Sequence, residues 1–523
     1  MIYIILYLKL YKNHTIYILP LIIVITYINY IKSIKITLNS NIYVIKKIYI
    51  SVNILKGNIM KINTSLVLST LILGSITFTG CGGGSDSGVT SYADKVSVFG
   101  SAIPYTVLNN TIDNGAKPGT TMEIRNGGYG SAACADPLNV NRVYALTDRG
   151  PNAKYTGTSG KGKIFPTPDY TPRIGLFEIQ SDGSMKKIKE ILLKDTNGNP
   201  ISGLPNSSAL GGTGETPYDI NGNIIIDESG NLKVDDFGLD GEGLAVLLDG
   251  TFWISDEYGP HMVHYDSTGK EIGRINAFSN DTRTTYNLPA EFANRRANRG
   301  MEGLTITPDQ KTLVGIMQST MYNPSSSVKT LDITRIVTVN LENGTVGQYL
   351  YKQEKVANSN SEIVALSSDT FLVIERDGNF YSTTPTAQKH VYKITLSSGT
   401  NIENVTLGTA MQQNETLGLT INGKTLEEAV LESNGEWTTL TNNGIVPVSK
   451  TLVVDMINEN KYPHDKMEGL WVINDSTLGI LNDDDFATWS SSGLLEQKYL
   501  DENQTTIDTN TLYIVKDLNL SAI

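Results

Sequence analysis

The 523-residue chain is 18% charged and holds 48 glycines, which suits one large core or several small ones built from short strands and tight turns. Its formal charge of −12 is unevenly spread: residues 1–80 hold eight lysines and no arginine or acidic residue, leaving 34 basic against 54 acidic residues beyond them. A body of that sign repels nucleic acid and anionic lipid surfaces, so nucleic-acid binding is excluded and divalent cations become the expected partners.

Residues 1–59 are almost wholly Ile, Tyr, Leu, Lys, Asn, Val, Ser and Thr, the mixture that AT-rich DNA yields when read in frame. We read them as translation upstream of a true start at Met60. The competing reading, a spanning helix near Ile18–Tyr30, is short for a bilayer. Residues 60–80 have the form of a lipoprotein signal peptide: Lys61 supplies the charge, Leu66 to Phe78 the apolar run, and Thr79-Gly80 the small residues before Cys81. The junction resembles a lipobox, which makes Cys81 the expected lipidation site and residues 81–94 a Gly/Ser tether. Gly82 is not the Asp that marks inner-membrane retention, so the outer membrane, on its periplasmic face or surface, is the expected location. With Cys81 acylated, no intrachain disulfide is expected, and Cys134, set among alanines, reads as a buried inert thiol.

Residues 95–523 carry a repeat. Asp240-Gly241-Glu242-Gly243-Leu244 leads through a turn at Asp249-Gly250 into Phe252-Trp253-Ile254-Ser255-Asp256-Glu257. Glu302-Gly303-Leu304 follows sixty residues on, then Ser361-Glu362-Ile363, and a fourth copy at Glu468-Gly469-Leu470 closing with Asn482-Asp483. The unit is strand, turn, strand, carboxylates. Third strands follow at Met262–Tyr265, Arg335–Asn340 and Val391–Ile394, and a related hairpin begins at Val143–Leu146. Sheets repeating at this spacing predict an all-β chain folded as a β-propeller, with six blades expected. The 106 residues between Glu362 and Glu468 are expected to hide one blade, and Asp195–Glu242 is ambiguous in the same way. The one helical pattern is Ala290–Ala297.

Asn126-Gly127-Gly128-Tyr129-Gly130-Ser131, Thr147-Asp148-Arg149-Gly150-Pro151-Asn152, Gly212-Thr213-Gly214-Glu215-Thr216-Pro217-Tyr218, Ser255-Asp256-Glu257-Tyr258-Gly259-Pro260-His261 and Asn298-Arg299-Gly300-Met301-Glu302-Gly303 resemble, in order, the phytase-like family, also called esterase-like activity of phytase. The likeness covers about residues 120–490. It implies phosphoester chemistry without fixing a substrate.

In a propeller the innermost strands line a central channel, so a residue recurring in each blade recurs around a ring. Converging carboxylates repel one another unless a cation lies among them. Glu242, Glu302, Glu362, Glu375, Glu468 and Asp483 are therefore the expected metal ligands, with Ca²⁺ the expected ion and Mg²⁺ or Mn²⁺ the alternatives. A recurring Glu-Gly can instead lock neighbouring blades by accepting backbone hydrogen bonds. Asp256, Glu257 and His261, at a strand end beside a loop, are the candidate catalytic groups. Arg149, Arg173, Arg299 and Arg376 offer planar forks that match phosphate oxygens, or else ion-pair with the carboxylates. Four histidines after Cys81 fall in no zinc spacing, and no Gly-x-Ser-x-Gly elbow occurs. The expected function is metal-dependent hydrolysis of a small phosphorylated substrate by a lipid-anchored monomer. A Ca²⁺-stabilised propeller that binds a ligand or envelope protein, and a lactonase or other carbon-ester hydrolase, are the alternatives.

Overall fold

The computed structural model describes residues 90–522 other than 492, together with the backbone of three strands nearer the N-terminus, Ile2–Lys12, Thr15–Ile25 and Lys35–Ile36. The chain divides into two compact units, Met1–Thr77 and Phe78–Ile523. In the first, Ile2–Lys12 and Thr15–Ile25 pair as an antiparallel hairpin, so residues 18–25 form strand and not the helix of the competing reading. Among the described residues no helix is long and apolar enough to cross a membrane. Residues 60–80, Cys81 and the tether up to residue 89 lie outside the described residues.

Among the described residues of the second unit, five sheets form blades. The first runs from its inner strand Ala132–Ala135 through Arg142–Leu146 and Arg173–Ile179 to Met185–Leu192. The second comprises Gly241–Val246, Phe252–Asp256, Met262–Tyr265 and Glu271–Asn276, with Thr284–Asn287 added in parallel at its edge. Met301–Ile306, Thr312–Met317, Ile333–Asn340 and Val346–Lys352 make the third; Ser359–Ala365, Thr370–Arg376, Lys389–Thr395 and Ser449–Asp455 make the fourth. The fifth, Gly469–Asn474, Thr477–Leu481 and Thr511–Val515, is completed by Ser101–Ala102 from the other end of the body. Each inner strand adjoins the next, and the fifth returns to the first, so the ring closes and leaves few open edges.

The glycines of the repeat have a packing cause. A Cβ on Gly243 would lie 2.3 Å from Leu304 N, and one on Gly303 would lie 2.6 Å from Ile363 N. Only glycine lets neighbouring inner strands approach so closely. These strands are buried along their length, and the main apolar core runs between the blades they start.

Five blades, not six, account for the described residues. The long interval before Glu468 holds no further blade. Residues 396–448 are an insertion between the third and fourth strands of the fourth blade, with a small sheet and the helices Leu426–Glu432 and Thr438–Asn442. Its core of Leu426, Val430, Trp437 and Leu440 packs on Leu350 of the third blade. Residues 195–240 likewise form turns, in which Asp219 and Asp227 each accept two backbone N–H bonds. The helical pattern at Ala290–Ala297 is a short 3₁₀ turn, Ala290–Asn294. Cys134 is fully buried and disulfide-bonded, which corrects the inert-thiol expectation.

Candidate active site

The second strands of the blades end where the inner strands begin, and a cavity of about 1280 Å³ opens there. Backbone register decides which side chains reach it. In the second and third blades the ladder skips Glu242 and Glu302, a bulge at each, and both line the cavity. In the fourth blade the skipped residue is Ser361, so Glu362 falls at the position of Gly243 and Gly303. Glu257 and Gln318, which follow the paired ends of the second strands, and Arg376, the last paired residue of the second strand of the fourth blade, line the cavity in turn.

Asp148, Asp240 and Glu242, all buried, bring one carboxylate oxygen each within 4.8 Å of the others, a set that could hold a metal ion. Glu242 Oε2 is buried with no hydrogen-bond donor, and Asp240 Oδ2 lies 3.1 Å from Arg149 Nη2 without a well-aligned N–H. Three hard oxygen donors, two of them with an orphaned oxygen, fit a divalent cation of the calcium type. Burial, then Asp483 and Asp240, push the Asp148 carboxyl well above the usual range; burial and Glu302 do the same to Glu242.

Across the cavity Gln318 organises a second acidic pair. Its Nε2 donates to Glu257 Oε1 at 2.7 Å and to Glu302 at 2.8 and 2.9 Å, while its Oε1 accepts from Arg299 Nη1 at 2.6 Å. Burial and then Glu468 push Glu302 up to about 8, and burial lifts Glu468 to about 7. Burial and Glu302 also hold Glu257 well above the ordinary range.

Cations interleave with these acids. Arg149 Nη1 lies 3.2 Å from Glu215, and Arg376 Nη2 bonds Glu468 Oε1. Burial opposes the Arg149 charge, but Asp240 leads the groups that hold its pKa above the ordinary value. Lys466 Nζ sits 2.6 Å from Asp483 and 2.8 Å from Asp485. Arg299 bonds neutral partners, and Lys163 Nζ donates to Asn152 Oδ1 at 2.9 Å. Burial, then Arg149, lowers Lys163 to about 8.

The expected site residues thus divide. Glu242, Glu257, Glu302, Glu468, Arg149, Arg299 and Arg376 line one cavity. The others serve the framework around it. Asp256 accepts the backbone N–H groups of Asp240, Tyr258 and Gly259, and His261 is buried between Leu210 O and Asn276. Arg173 pairs with Glu190 at 3.2 Å. Glu362 Oε1 accepts Leu304 N and Ile363 N, locking the third blade to the fourth. Glu375 receives Tyr351, Asn358 and Lys450 at 2.6–2.8 Å, and Asp483 holds Lys466 from behind the lining. Sequence reasoning passed over Asp148, Asp240, Glu215, Gln318, Lys163 and Lys466. Asp148 and Asp240 adjoin residues it did select, and Gln318 holds the repeat position of Glu257.

The phytase-like family model, described as esterase-like activity of phytase, matches residues 124–486. A curated protein of Arthroderma benhamiae, described as an uncharacterized secreted protein, is 25% identical over 346 residues, covering 52% of this chain and 62% of that protein. The chain therefore spans less than two thirds of that relative's length. Among solved structures, tricorn protease gives a TM-score of 0.20 at 9% identity, covering 70% of this chain and 24% of that one. A Synechocystis apocarotenoid oxygenase gives 0.22 at 10% identity, covering 60% and 67%. Scores this low say nothing further about the fold.

Proposed function

The chain belongs to the phytase-like family, and from that premise we propose that it is a metal-dependent phosphoester hydrolase that scavenges phosphate outside the cytoplasm. The observation that carries this reading is the meeting, in one cavity, of a buried carboxylate triad with orphaned oxygens and of arginines suited to phosphate. Asp148, Asp240 and Glu242 would hold the cation, with Glu302 and Glu468 beside them; Ca²⁺ suits the all-oxygen set best. A bound cation of this kind polarises a phosphoryl oxygen and lowers the pKa of water.

The remaining roles fall to side chains. Arg149 and Arg299 orient the phosphoryl oxygens, Arg299 making its hydrogen bonds to the neutral side chains of Gln318, Ser319 and Ser359. Glu257, whose carboxyl burial and Glu302 push well above the ordinary range, is the group placed to give a proton to the leaving oxygen. Gln318 fixes that carboxyl against Glu302. An exported location draws on the relative described as secreted. A lipid on Cys81 would keep the protein at the outer membrane. Acylation uses the Cys81 sulfur that a bridge from Cys134 would also need, so the intact mass of detergent-extracted protein distinguishes the anchored form from a bridged one.

The test is turnover of a broad phosphoester panel by purified protein with Ca²⁺, Mg²⁺ or Mn²⁺, against chelator. No metal-dependent release of phosphate would overturn the reading, and faster turnover of lactones would replace it with carbon-ester hydrolysis at the same site.

A further inference from the structure

The floor of the cavity is charged, but one stretch of its mouth is aromatic. Trp489 lines it with 37% of its surface exposed, and Tyr155 lines it from the hairpin Ala153–Gly157/Gly160–Ile164. Both rings are held firmly. Trp489 belongs to a two-residue ladder with Glu496–Gln497 and meets the Phe380 ring edge-on at 6.1 Å; Tyr155 meets Tyr218 edge-on at 5.0 Å. Two hydrogen bonds tie the segments together, Thr488 Oγ1 to Asn152 O at 3.2 Å and Ser490 Oγ to Lys154 O at 3.1 Å. A fixed indole that keeps over a third of its surface exposed beside a charged cavity, with Lys498 Nζ 5.6 Å from its ring centroid, has lost its chain entropy already, so a flat ligand can stack on its exposed part at little further cost.

We infer that Trp489, with Tyr155, forms an aromatic subsite that receives a planar ring on the alcohol side of the phosphoester, the ring of a nucleoside phosphate being the type. The inference rests on the phosphoester reading. A planar ring fits better than a polyol because the hydroxyls flanking Trp489 in the chain already donate elsewhere: Thr488 to Asn152 O, Ser490 to Lys154 O, and Ser491 to Glu496 at 2.9 Å. A polyol ring needs such partners around its rim, whereas a base needs only a face.

Adenosine 5′-phosphate and ribose 5-phosphate leave through the same primary alkoxide and differ in the base, so their comparison isolates stacking from leaving-group chemistry. For the full-length protein the kcat/KM ratio of the two is expected to favour the nucleotide by about tenfold. Trp489→Ala should bring the ratio near one and Trp489→Phe should restore most of it. A wild-type ratio near one, or a ratio unmoved by Trp489→Ala, overturns the subsite. Adenosine alone, titrated against tryptophan fluorescence, keeps the two readings apart. Saturable quenching that Trp489→Phe removes supports the subsite even if neither ester turns over, in which case the phosphoester reading is what fails. Absence of quenching in a protein that hydrolyses both esters removes the subsite and leaves the hydrolase.

Discussion

Replacing Arg376 by Met should destabilise the native body by about 3 kcal/mol at pH 9, where Glu468 is ionised. Arg376 ends the second strand of the fourth blade, its Nε donating to Ser361 Oγ at 3.0 Å and its Nη2 to Glu468 Oε1. Both partners are buried, with 9% and 2% of their side chains exposed. Without the guanidinium, Glu468 keeps only Lys466, 3.9 Å away, while its Oε2 has no hydrogen-bond donor. Breaking a buried pair from one side costs about 3–5 kcal/mol, and the lower figure applies because Lys466 remains and the cavity admits water. Removing both charges, in Arg376→Met with Glu468→Leu, should recover most of the loss, since no orphaned carboxylate is left. Urea unfolding of the four proteins of the cycle, in chelator and at constant m-value, measures both quantities. At pH 5 the single variant should lose much less, because Glu468, lifted to about 7, is then protonated. A loss below about 1 kcal/mol at pH 9, or a double variant as unstable as the single one, would refute the reasoning.

Three further outcomes follow from the same geometry. In chelator, stability should fall as pH rises from about 5 to 8, by on the order of 2–4 kcal/mol. Glu302 and Glu468 titrate near 8 and 7 in the native state, so the unfolded chain releases their protons first. Saturating Ca²⁺ should flatten that profile, and a profile that rises with pH contradicts the assignment. Gly130→Ala should cost about 3 kcal/mol or more, as its Cβ would lie 1.8 Å from Asn482 O, whereas Gly408→Ala, with open space around it, should be neutral in the same denaturation assay. Glu362→Leu, which keeps the bulk but removes the acceptor, should weaken the body thermally while sparing metal affinity, since Glu362 Oε1 receives two backbone N–H groups across adjoining blades; loss of cation binding would return it to the ligand set.

The propeller was legible because its inner strands repeat a packing requirement: glycine where the next strand touches, and glutamate beside it. Blade number was not. An antiparallel partner may come from any distance along the chain, so Ser449–Asp455 joins the fourth blade across a fifty-residue insertion and Ser101–Ala102 completes the fifth. The inner strand of the first blade, Ala132–Ala135, carries no glutamate. Side-chain direction was legible only up to the bulge. Spacing made Glu362 equivalent to Glu242 and Glu302, yet a one-residue shift of the ladder gives that place to Ser361 and turns Glu362 into a blade lock. Glu215 and Lys466 come from loops and Lys163 from the hairpin strand Gly160–Ile164, all outside the repeat, and only the folded chain brings them to the cavity.

Calorimetric titration of Ca²⁺ and Mn²⁺ into the purified protein, beside an Asp240→Asn/Glu242→Gln variant, tests the central claim most directly. The account predicts saturable binding that the variant loses, with the variant still folded by circular dichroism. No binding by the wild-type protein, or equal binding by the variant, would contradict it and leave the carboxylates as structural charges of the ring.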